Sequence, residues 1–156
     1  MAKMLWLLRH GEAEDTAPSD FERRLTARGE RQALCAGRAL ARLGVEFEHV
    51  FSSPRVRALA TARLACSELG VEVVAHEPLS GGISLEDALE LVHATAGDGA
   101  LLLVGHEPDF SRLVGQLTGA RVAVKKGGLV AIRVGGGGGE LAALLRPREI
   151  ELVAGG

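Results

Sequence analysis

A chain of 156 residues with 47% hydrophobic and 24% charged residues has the length and composition of one globular domain. Its formal net charge of −2 argues against a protein that holds nucleic acid through a broadly basic surface, although a small basic pocket is compatible with it. Aromatic residues make up only 3% of the chain, which also argues against base stacking and aromatic cages.

Short apolar runs alternate with stretches of helical periodicity over the first 118 residues. Strands are predicted at 4–8, 49–53, 71–76 and 100–106. Helices are predicted from a Thr26 cap to Gly44, from a Ser53 cap with Pro54 in first position to Gly70, over 84–97, and from Pro108 to Gly119. Ser84 and Asp87 resemble a capping pair at the start of the third helix.

The C-terminal part reads differently from the rest. Two apolar segments, 128–134 and 140–146, are predicted strands of a hairpin joined by a flexible loop of five glycines, 135–139. This run lacks the strand–turn–helix context and the Lys-Ser/Thr ending of a phosphate-binding loop. We therefore expect a single domain over 1–156 of class α/β: a three-layer α/β/α arrangement with a mostly parallel sheet and a C-terminal antiparallel hairpin.

Two features bear on the compartment and the redox state. Cys35 and Cys66 fall within predicted helices and are interpreted as free buried thiols, because no disulfide framework accompanies them. No apolar run approaches the ~20 residues of a membrane-spanning helix. The N-terminal apolar run is too short for a signal peptide, so we expect a cytoplasmic protein without membrane association.

Three predicted strands end in related chemistry. Arg9, His10 and Gly11 follow the first strand, Arg57 lies one turn beyond the second, and His106 ends the fourth. The carboxyl ends of parallel strands meet at one edge of a sheet, where α/β proteins bind ligands. We therefore expect two arginines and two histidines to face one crevice.

Such a crevice suits a dianionic phosphoryl group. Arginine stays charged and its fork of donors matches phosphate oxygens, while a neutral histidine can attack phosphorus as a nucleophile. Taken singly, each residue could be a solvated charge or a structural histidine. We expect the remaining histidines and two further arginines to be structural or solvent-facing: His49, His76, His93, Arg55 and Arg63. No His, Cys, Asp or Glu spacing favours a metal site.

Four segments carry a resemblance that covers nearly the whole chain. LLRHGEAE (7–14), LTARGERQA (25–33), FSSPRVRALATA (51–62) and LLVGHEPDFS (102–111) resemble, in order, the motifs of the histidine phosphatase superfamily, and the small size resembles its SixA-type phosphohistidine phosphatases. The resemblance implies a phosphoglycerate-mutase-like fold and no cofactor. It implies that His10 becomes phosphorylated and that Arg9, Arg57 and His106 bind the phosphoryl group. Gly11 would let the backbone turn close to the phosphate.

One departure from the family pattern affects the substrate. Larger members carry an acid after the third strand and an insertion that caps the site, whereas this chain has the small residues of HEPLSGGISLED (76–87) there. None of the nearby carboxylates is assigned as the acid: Glu12, Glu77, Glu86 and Asp87. A missing acid and lid favour a phosphohistidine-bearing protein or peptide as partner. A small-molecule phosphomonoesterase, a mutase and a non-catalytic phosphate- or phosphoprotein-binding module are the alternatives.

Overall fold

The hydrophobic segments assemble into a six-stranded sheet with helices on both faces in a computed structural model that describes residues 2–155. The strands are β1 (Lys3–Arg9), β2 (Phe47–Ser52), β3 (Val73–Ala75), β4 (Ala100–Gly105), β5 (Leu129–Gly135) and β6 (Gly138–Leu145). The helices are α1 (Ala27–Arg42), α2 (Val56–Leu69), α3 (Leu85–Ala94), α4 (Asp109–Thr118) and α5 (Pro147–Ala154). Two short 3₁₀ turns, Asp20–Glu22 and Glu77–Ser80, lie in the connections.

The strand order β3-β2-β4-β1-β5-β6 places β1 and β4 side by side at the centre of the sheet. The first four strands pair in parallel, and β5 and β6 extend the sheet in antiparallel fashion. This arrangement confirms the predicted fold class. In register, Arg9 pairs with Gly105 and Ser52 with Val104, so β1, β2 and β4 all end at one edge.

Alternation along β1 divides the core between the two faces of the sheet. Leu5 and Leu7 are fully buried in the cluster that includes α3 and α4. Trp6 and Leu8 belong to the cluster on the opposite face, formed with α1, α2 and α5. Each such side chain contributes roughly 1.5–3 kcal/mol by leaving water, so the strand that carries the Arg-His pair is held from both sides.

The predicted cap of the second helix is wrong. Helix α2 begins at Val56, with Arg55 as its N-cap residue, rather than at Ser53 and Pro54. The Ser53 hydroxyl oxygen accepts a hydrogen bond from the backbone N–H of Arg55 (3.1 Å), which forms a turn before the helix. The other two predicted caps are confirmed, since Thr26 accepts from the N–H of Gly29 and Ser84 forms a reciprocal capping box with Asp87.

The glycine run is not the flexible loop that its composition predicts. Strand β5 continues to Gly135 and β6 begins at Gly138, which leaves a two-residue turn at Gly136 and Gly137. Both turn residues have positive φ, 60° and 85°, which suits the tight turns that match the twist of paired strands. Helix α5 was not predicted, although Pro147 at its start and Gly155 after its end are the usual signals.

The two cysteines are free, as predicted. Cys66 is buried in the core and Cys35 is partly buried. Burial raises the pKa of the Cys66 thiol to about 11, so this group is protonated at neutral pH and packs as a small apolar side chain. None of the helices formed by residues 2–155 combines the length and the hydrophobicity that crossing a bilayer requires.

The contact between α1 and α2 depends on Gly37. A Cβ atom at this position would lie within 3.0 Å of backbone atoms of Ala65, including its carbonyl oxygen, so the two helices would have to separate. We expect Gly37→Ala to lower the free energy of unfolding by about 1–3 kcal/mol in urea denaturation.

Gly115 in α4 provides the matched control. A Cβ atom there would approach the Ala120 oxygen only to 3.6 Å. Alanine is a better helix former than glycine, so Gly115→Ala should leave stability unchanged or raise it by up to ~1 kcal/mol. Equal urea midpoints for the two variants would contradict this account of the α1–α2 packing.

Candidate active site

The strand ends bring the four predicted side chains into one pocket of about 520 Å³. Arg9 is the last residue of β1 and His10 follows it, while His106 follows β4 directly. Arg57 lies in the first turn of α2. These four residues line the pocket together, at the edge of the sheet where the sequence predicts them to meet.

Hydrogen bonds of His10 define its tautomer. Its Nδ1 lies 2.7 Å from the carbonyl oxygen of Gly11, which can only accept, so Nδ1 carries the proton and donates. The other ring nitrogen, Nε2, lies 3.4 Å from Nε of Arg57, which donates to it. An unprotonated Nε2 therefore faces the pocket beside a guanidinium, as a nucleophile for phosphorus requires.

The second histidine lies against the first. The ring centroids of His10 and His106 are 5.2 Å apart, and Nε2 of His106 lies 2.8 Å from the hydroxyl oxygen of Ser53. Burial is the main reason that the pKa of His10 falls to about 3 and the pKa of His106 to about 4. Both imidazoles are therefore neutral at pH 7. A bound dianion would raise both pKa values and favour a protonated His106.

The two arginines differ in how they are held. Nη1 of Arg9 donates to the carbonyl oxygen of Val124 (2.9 Å), while its buried Nε has no hydrogen-bond partner within residues 2–155. Nη1 of Arg57 donates to the backbone oxygen of Asp20 (2.8 Å), and Nη2 lies 3.2 Å from its carboxylate. Burial lowers the pKa of both guanidinium groups, with Glu107 and Asp20 acting in the opposite direction. Both remain strong donors for an anion.

Asp20 is a pocket residue that the sequence did not reveal. Its carboxylate contacts Arg23 (3.2 Å), Arg55 (2.7 Å) and Arg57 (3.2 Å). A hydrogen bond from Arg23 and the charges of the other two arginines hold the pKa of Asp20 below its usual value, so it is ionised. This carboxylate fixes the outer side of Arg57 and leaves Nε of that arginine directed at His10.

The expectation that Arg55 faces solvent is wrong. Its Nε donates to the carbonyl oxygen of Ser80 (2.7 Å) and its Nη1 pairs with Asp20, so it lines the pocket. The reason is the turn before α2, which directs Arg55 toward the strand ends rather than along the outer face of the helix. Arg63, two turns further along α2, is exposed as predicted.

Gly11 has a structural reason for lacking a side chain. A Cβ atom there would lie 2.6 Å from the carbonyl oxygen of Gly29, at the start of α1. The amide of Gly11 donates to the hydroxyl of Thr61 (3.1 Å), which in turn donates to the carbonyl oxygen of Arg57 (2.7 Å). The phosphate-binding role of Gly11 stays a prediction, whereas its part in packing the site against α1 and α2 is visible.

The pocket contains carboxylates, but they are held in place by other groups. Apart from Asp20, these are Glu107 and Asp109. Glu107 accepts from the backbone and hydroxyl of Ser111 and from the amide of Val124. Asp109 is buried, accepts from the amide of Gly82 (2.9 Å) and pairs with an arginine of its own helix.

The carboxylates considered in the sequence as candidate acids do not line this pocket. Glu12 lies 3.7 Å from Arg28, and Asp87 is used in the cap of α3. Glu77 and Glu86 are exposed. Among the described residues, the segment after β3 therefore brings no carboxylate to this pocket.

The other histidines lie elsewhere, as expected. His49 and His93 are exposed and His76 is partly buried. The rings of His49 and His76 flank Phe51, with centroids 5.8 and 5.7 Å away. Across residues 2–155, no three His, Cys, Asp or Glu side chains lie close enough together to hold a metal ion.

Comparison with known protein families gives a match over the first half of the chain. The model of the "Histidine phosphatase superfamily (branch 1)" matches residues 5–80. An uncharacterized protein of Picosynechococcus is 35% identical over 140 residues, which cover 84% of this chain and 85% of that protein. The mitochondrial serine/threonine-protein phosphatase Pgam5 of Drosophila ananassae is 40% identical over 68 residues, which cover 44% of this chain but only 24% of that protein.

Solved structures show the same fold at low sequence identity. The protein histidine phosphatase SixA complexed with tungstate aligns with a TM-score of 0.85 and 23% identity, covering 94% of this chain and 99% of that one. A phosphoserine phosphatase from Entamoeba histolytica in complex with phosphoserine aligns with a TM-score of 0.75 and 17% identity, covering 94% and 98%.

The neutral, buried state of the two site histidines makes stability depend on pH. In the unfolded chain each imidazole has an ordinary pKa of 6.5 and is protonated below that pH. In the folded protein the same imidazoles become protonated only near pH 3 to 4. The contribution of the two histidines to the free energy of unfolding is therefore complete above pH 6.5. It decreases as the pH falls, by up to about 1.4 kcal/mol per pH unit for each histidine. Urea unfolding between pH 7.5 and pH 4 measures this slope.

The contribution of one imidazole can be isolated by substitution. We expect His10→Gln to reduce the slope of the free energy of unfolding against pH by the amount that corresponds to one proton. His49→Gln, at an exposed histidine, should give the wild-type curve. Parallel curves for wild type and His10→Gln would show that the folded protein does not keep His10 neutral.

Proposed function

The chain belongs to the histidine phosphatase superfamily, and we propose that it hydrolyses phosphohistidine on a protein or peptide through a covalent intermediate on His10. The observation that carries the proposal is the state of His10. Its Nδ1 is fixed on the Gly11 carbonyl and its unprotonated Nε2 lies beside Arg57, within a pocket that also holds Arg9 and His106.

In the first step the phosphoryl group of the substrate occupies the space between the two arginines and His106. Nε2 of His10 attacks phosphorus, a nitrogen–phosphorus bond forms on the enzyme, and the nitrogen–phosphorus bond of the substrate breaks. The electron pair of the broken bond stays on the substrate imidazole, which leaves neutral when its other nitrogen carries a proton. The guanidinium groups stabilise charge on the equatorial oxygens throughout.

In the second step water attacks the phosphorylated His10. The bond to Nε2 breaks, its electron pair returns to the ring, and both water protons leave with the phosphate product. Nδ1 keeps its proton and its hydrogen bond to Gly11 in both steps, so His10 returns to the starting tautomer. A protonated His106 would donate to a phosphoryl oxygen in each transition state.

The constraints on the pocket carboxylates support this choice of substrate. An alkoxide leaving group needs a proton from a general acid, and a general acid needs a pKa near neutrality. Asp20 has a lowered pKa, and Glu107 and Asp109 accept hydrogen bonds that fix their side chains. The connection from β3 to α3 spans only 76–84, too few residues for a covering insertion. An imidazole leaving group needs neither an acid nor an enclosed site.

The alternative is a phosphomonoesterase that acts on a small molecule. The similarity in fold to a phosphoserine phosphatase supports it, since that protein binds a small phosphate ester. A non-catalytic phosphate- or phosphoprotein-binding module is the second alternative. It would have no need for an unprotonated Nε2 facing the anion, which favours an enzyme.

A substrate panel separates the two enzymes. We expect kcat/KM for a phosphohistidine peptide to exceed that for the matching phosphoserine peptide by about 100-fold or more, because only the ester needs a general acid. An aryl phosphate, whose leaving group is weakly basic, should lie between them. Comparable values for the phosphoserine and phosphohistidine peptides would support the phosphomonoesterase.

The covalent step is tested by trapping the intermediate. After rapid mixing with a peptide that carries radiolabelled phosphohistidine, followed by an alkaline quench, we expect an alkali-stable, acid-labile label on the wild-type protein. His10→Ala should abolish the label and His49→Ala should leave it unchanged. A wild-type protein that binds the peptide without labelling or turnover would be the non-catalytic module.

A further inference from the structure

A second open groove, of about 570 Å³, adjoins the active-site pocket. We call it the basic groove, because six of its lining residues are cationic: Arg9, Arg28, Lys125, Lys126, Arg146 and Arg148. Arg9 and Lys126 also line the active-site pocket, so the two cavities share a wall. In a chain with a formal net charge of −2, this is a pronounced local concentration of positive charge.

Some of these cations are neutralised and others are not. Arg146 forms two 2.9 Å hydrogen bonds to the carboxylate of Glu149, which also lies 3.6 Å from Nε of Arg148. Arg28 lies 3.7 Å from Glu12, a carboxylate that lines the same groove. Lys125 and Lys126 are exposed, and within residues 2–155 neither forms a salt bridge. The uncompensated charge therefore lies at the end of the groove nearest the phosphoryl site.

The lysine pair is attached to the catalytic strand by its backbone. The amide of Gly127 lies 3.1 Å from the carbonyl oxygen of Arg9 and 3.0 Å from that of His10, and donates to both. The amide of Gly128 donates to the carbonyl oxygen of Lys125 (2.7 Å), which closes the turn. Both lysines thus stand at a fixed place relative to the nucleophile, while their side chains are free to adapt.

We propose that the basic groove binds acidic side chains that flank the phosphorylated residue of a protein substrate. This inference rests on the proposed function, since it names the kind of protein segment that the same site accepts. Apart from the partly buried Arg9, the cations are exposed and spread along an open surface. That arrangement matches separate carboxylates on another protein, whereas a compact anion would need convergent and buried donors.

The proposal is tested by binding to the His10→Ala protein, which cannot turn the substrate over. Two phosphohistidine peptides are compared, one with Asp and Glu beside the phosphorylated residue and one with Asn and Gln in their place. We expect the acidic peptide to bind about tenfold more tightly at low ionic strength, with the difference shrinking as salt screens the charges. Isothermal titration calorimetry measures both affinities.

Substitutions in the groove show which residues cause the preference for the acidic peptide. Lys125→Gln in the same background should reduce the preference for the acidic peptide to about threefold or less, and Arg148→Gln should reduce it in the same direction. Arg63→Gln removes an exposed cation of α2, outside both cavities, and should preserve the preference. A preference that survives Lys125→Gln and Arg148→Gln together would overturn the proposal.

The outcomes also separate this inference from the proposed function. If the acidic peptide binds more tightly but wild-type protein hydrolyses neither peptide, the basic groove binds acidic segments as proposed, and the proposed phosphohistidine hydrolysis is wrong. If wild type hydrolyses both peptides and the His10→Ala protein binds them equally, or binds neither, the groove assignment is wrong. It is also wrong if a small bisphosphate displaces the acidic peptide efficiently and Lys125→Gln abolishes that displacement, because the groove would then hold a second phosphate of a small substrate.

Discussion

The parallel pairing of β1 with β4 is the constraint on which the site depends. Arg9 lies opposite Gly105 in register, and the amide of His10 donates to the carbonyl oxygen of Gly105 (3.0 Å). On the other side of β4, the amide of Ser53 donates to the carbonyl oxygen of Val104 (2.9 Å). These backbone hydrogen bonds fix the positions of both histidines independently of their side-chain contacts. A shift of one residue in either pairing would turn the side chains to the opposite face.

Burial then determines the protonation states of the residues that the strands bring together. Two imidazoles that titrate near neutrality in water stay neutral in the pocket, because charging them there would leave the cation without solvent and close to guanidinium groups. In the proposed mechanism the positive charge for phosphate binding comes instead from the arginines, which stay protonated even when their pKa is lowered. One exposed carboxylate, that of Asp20, offsets part of that charge and orients Arg57.

The sequence was sufficient for the strand ends and insufficient for the contacts made by loops. Arg9, His10, Arg57 and His106 could be predicted to meet because parallel topology brings strand ends together whatever the intervening segments do. Asp20 begins a short 3₁₀ turn within a long connection, and nothing near it in the chain marks its contact with α2.

Tertiary context also overrode local signals in several segments. Ser53 has the residue type of a helix cap, but its hydroxyl lies against a histidine that is distant in sequence. The glycine run has the composition of a flexible loop, but strand pairing orders three of its five residues. Helix α5, in contrast, is marked in the sequence by Pro147 at its start and Gly155 after its end, so local signals are sufficient to predict it.

The close approach of Gly11 and Gly29 limits which substitutions the domain can tolerate. A Cβ atom at Gly29 would collide with the backbone of Glu12, just as one at Gly11 would collide with Gly29. Both glycines are therefore needed to build the domain, independently of the reaction. A variant in which His10 is replaced would still need both glycines. Substituting either glycine would therefore disturb the packing of the domain, whereas substituting His10 would change the chemistry of the pocket.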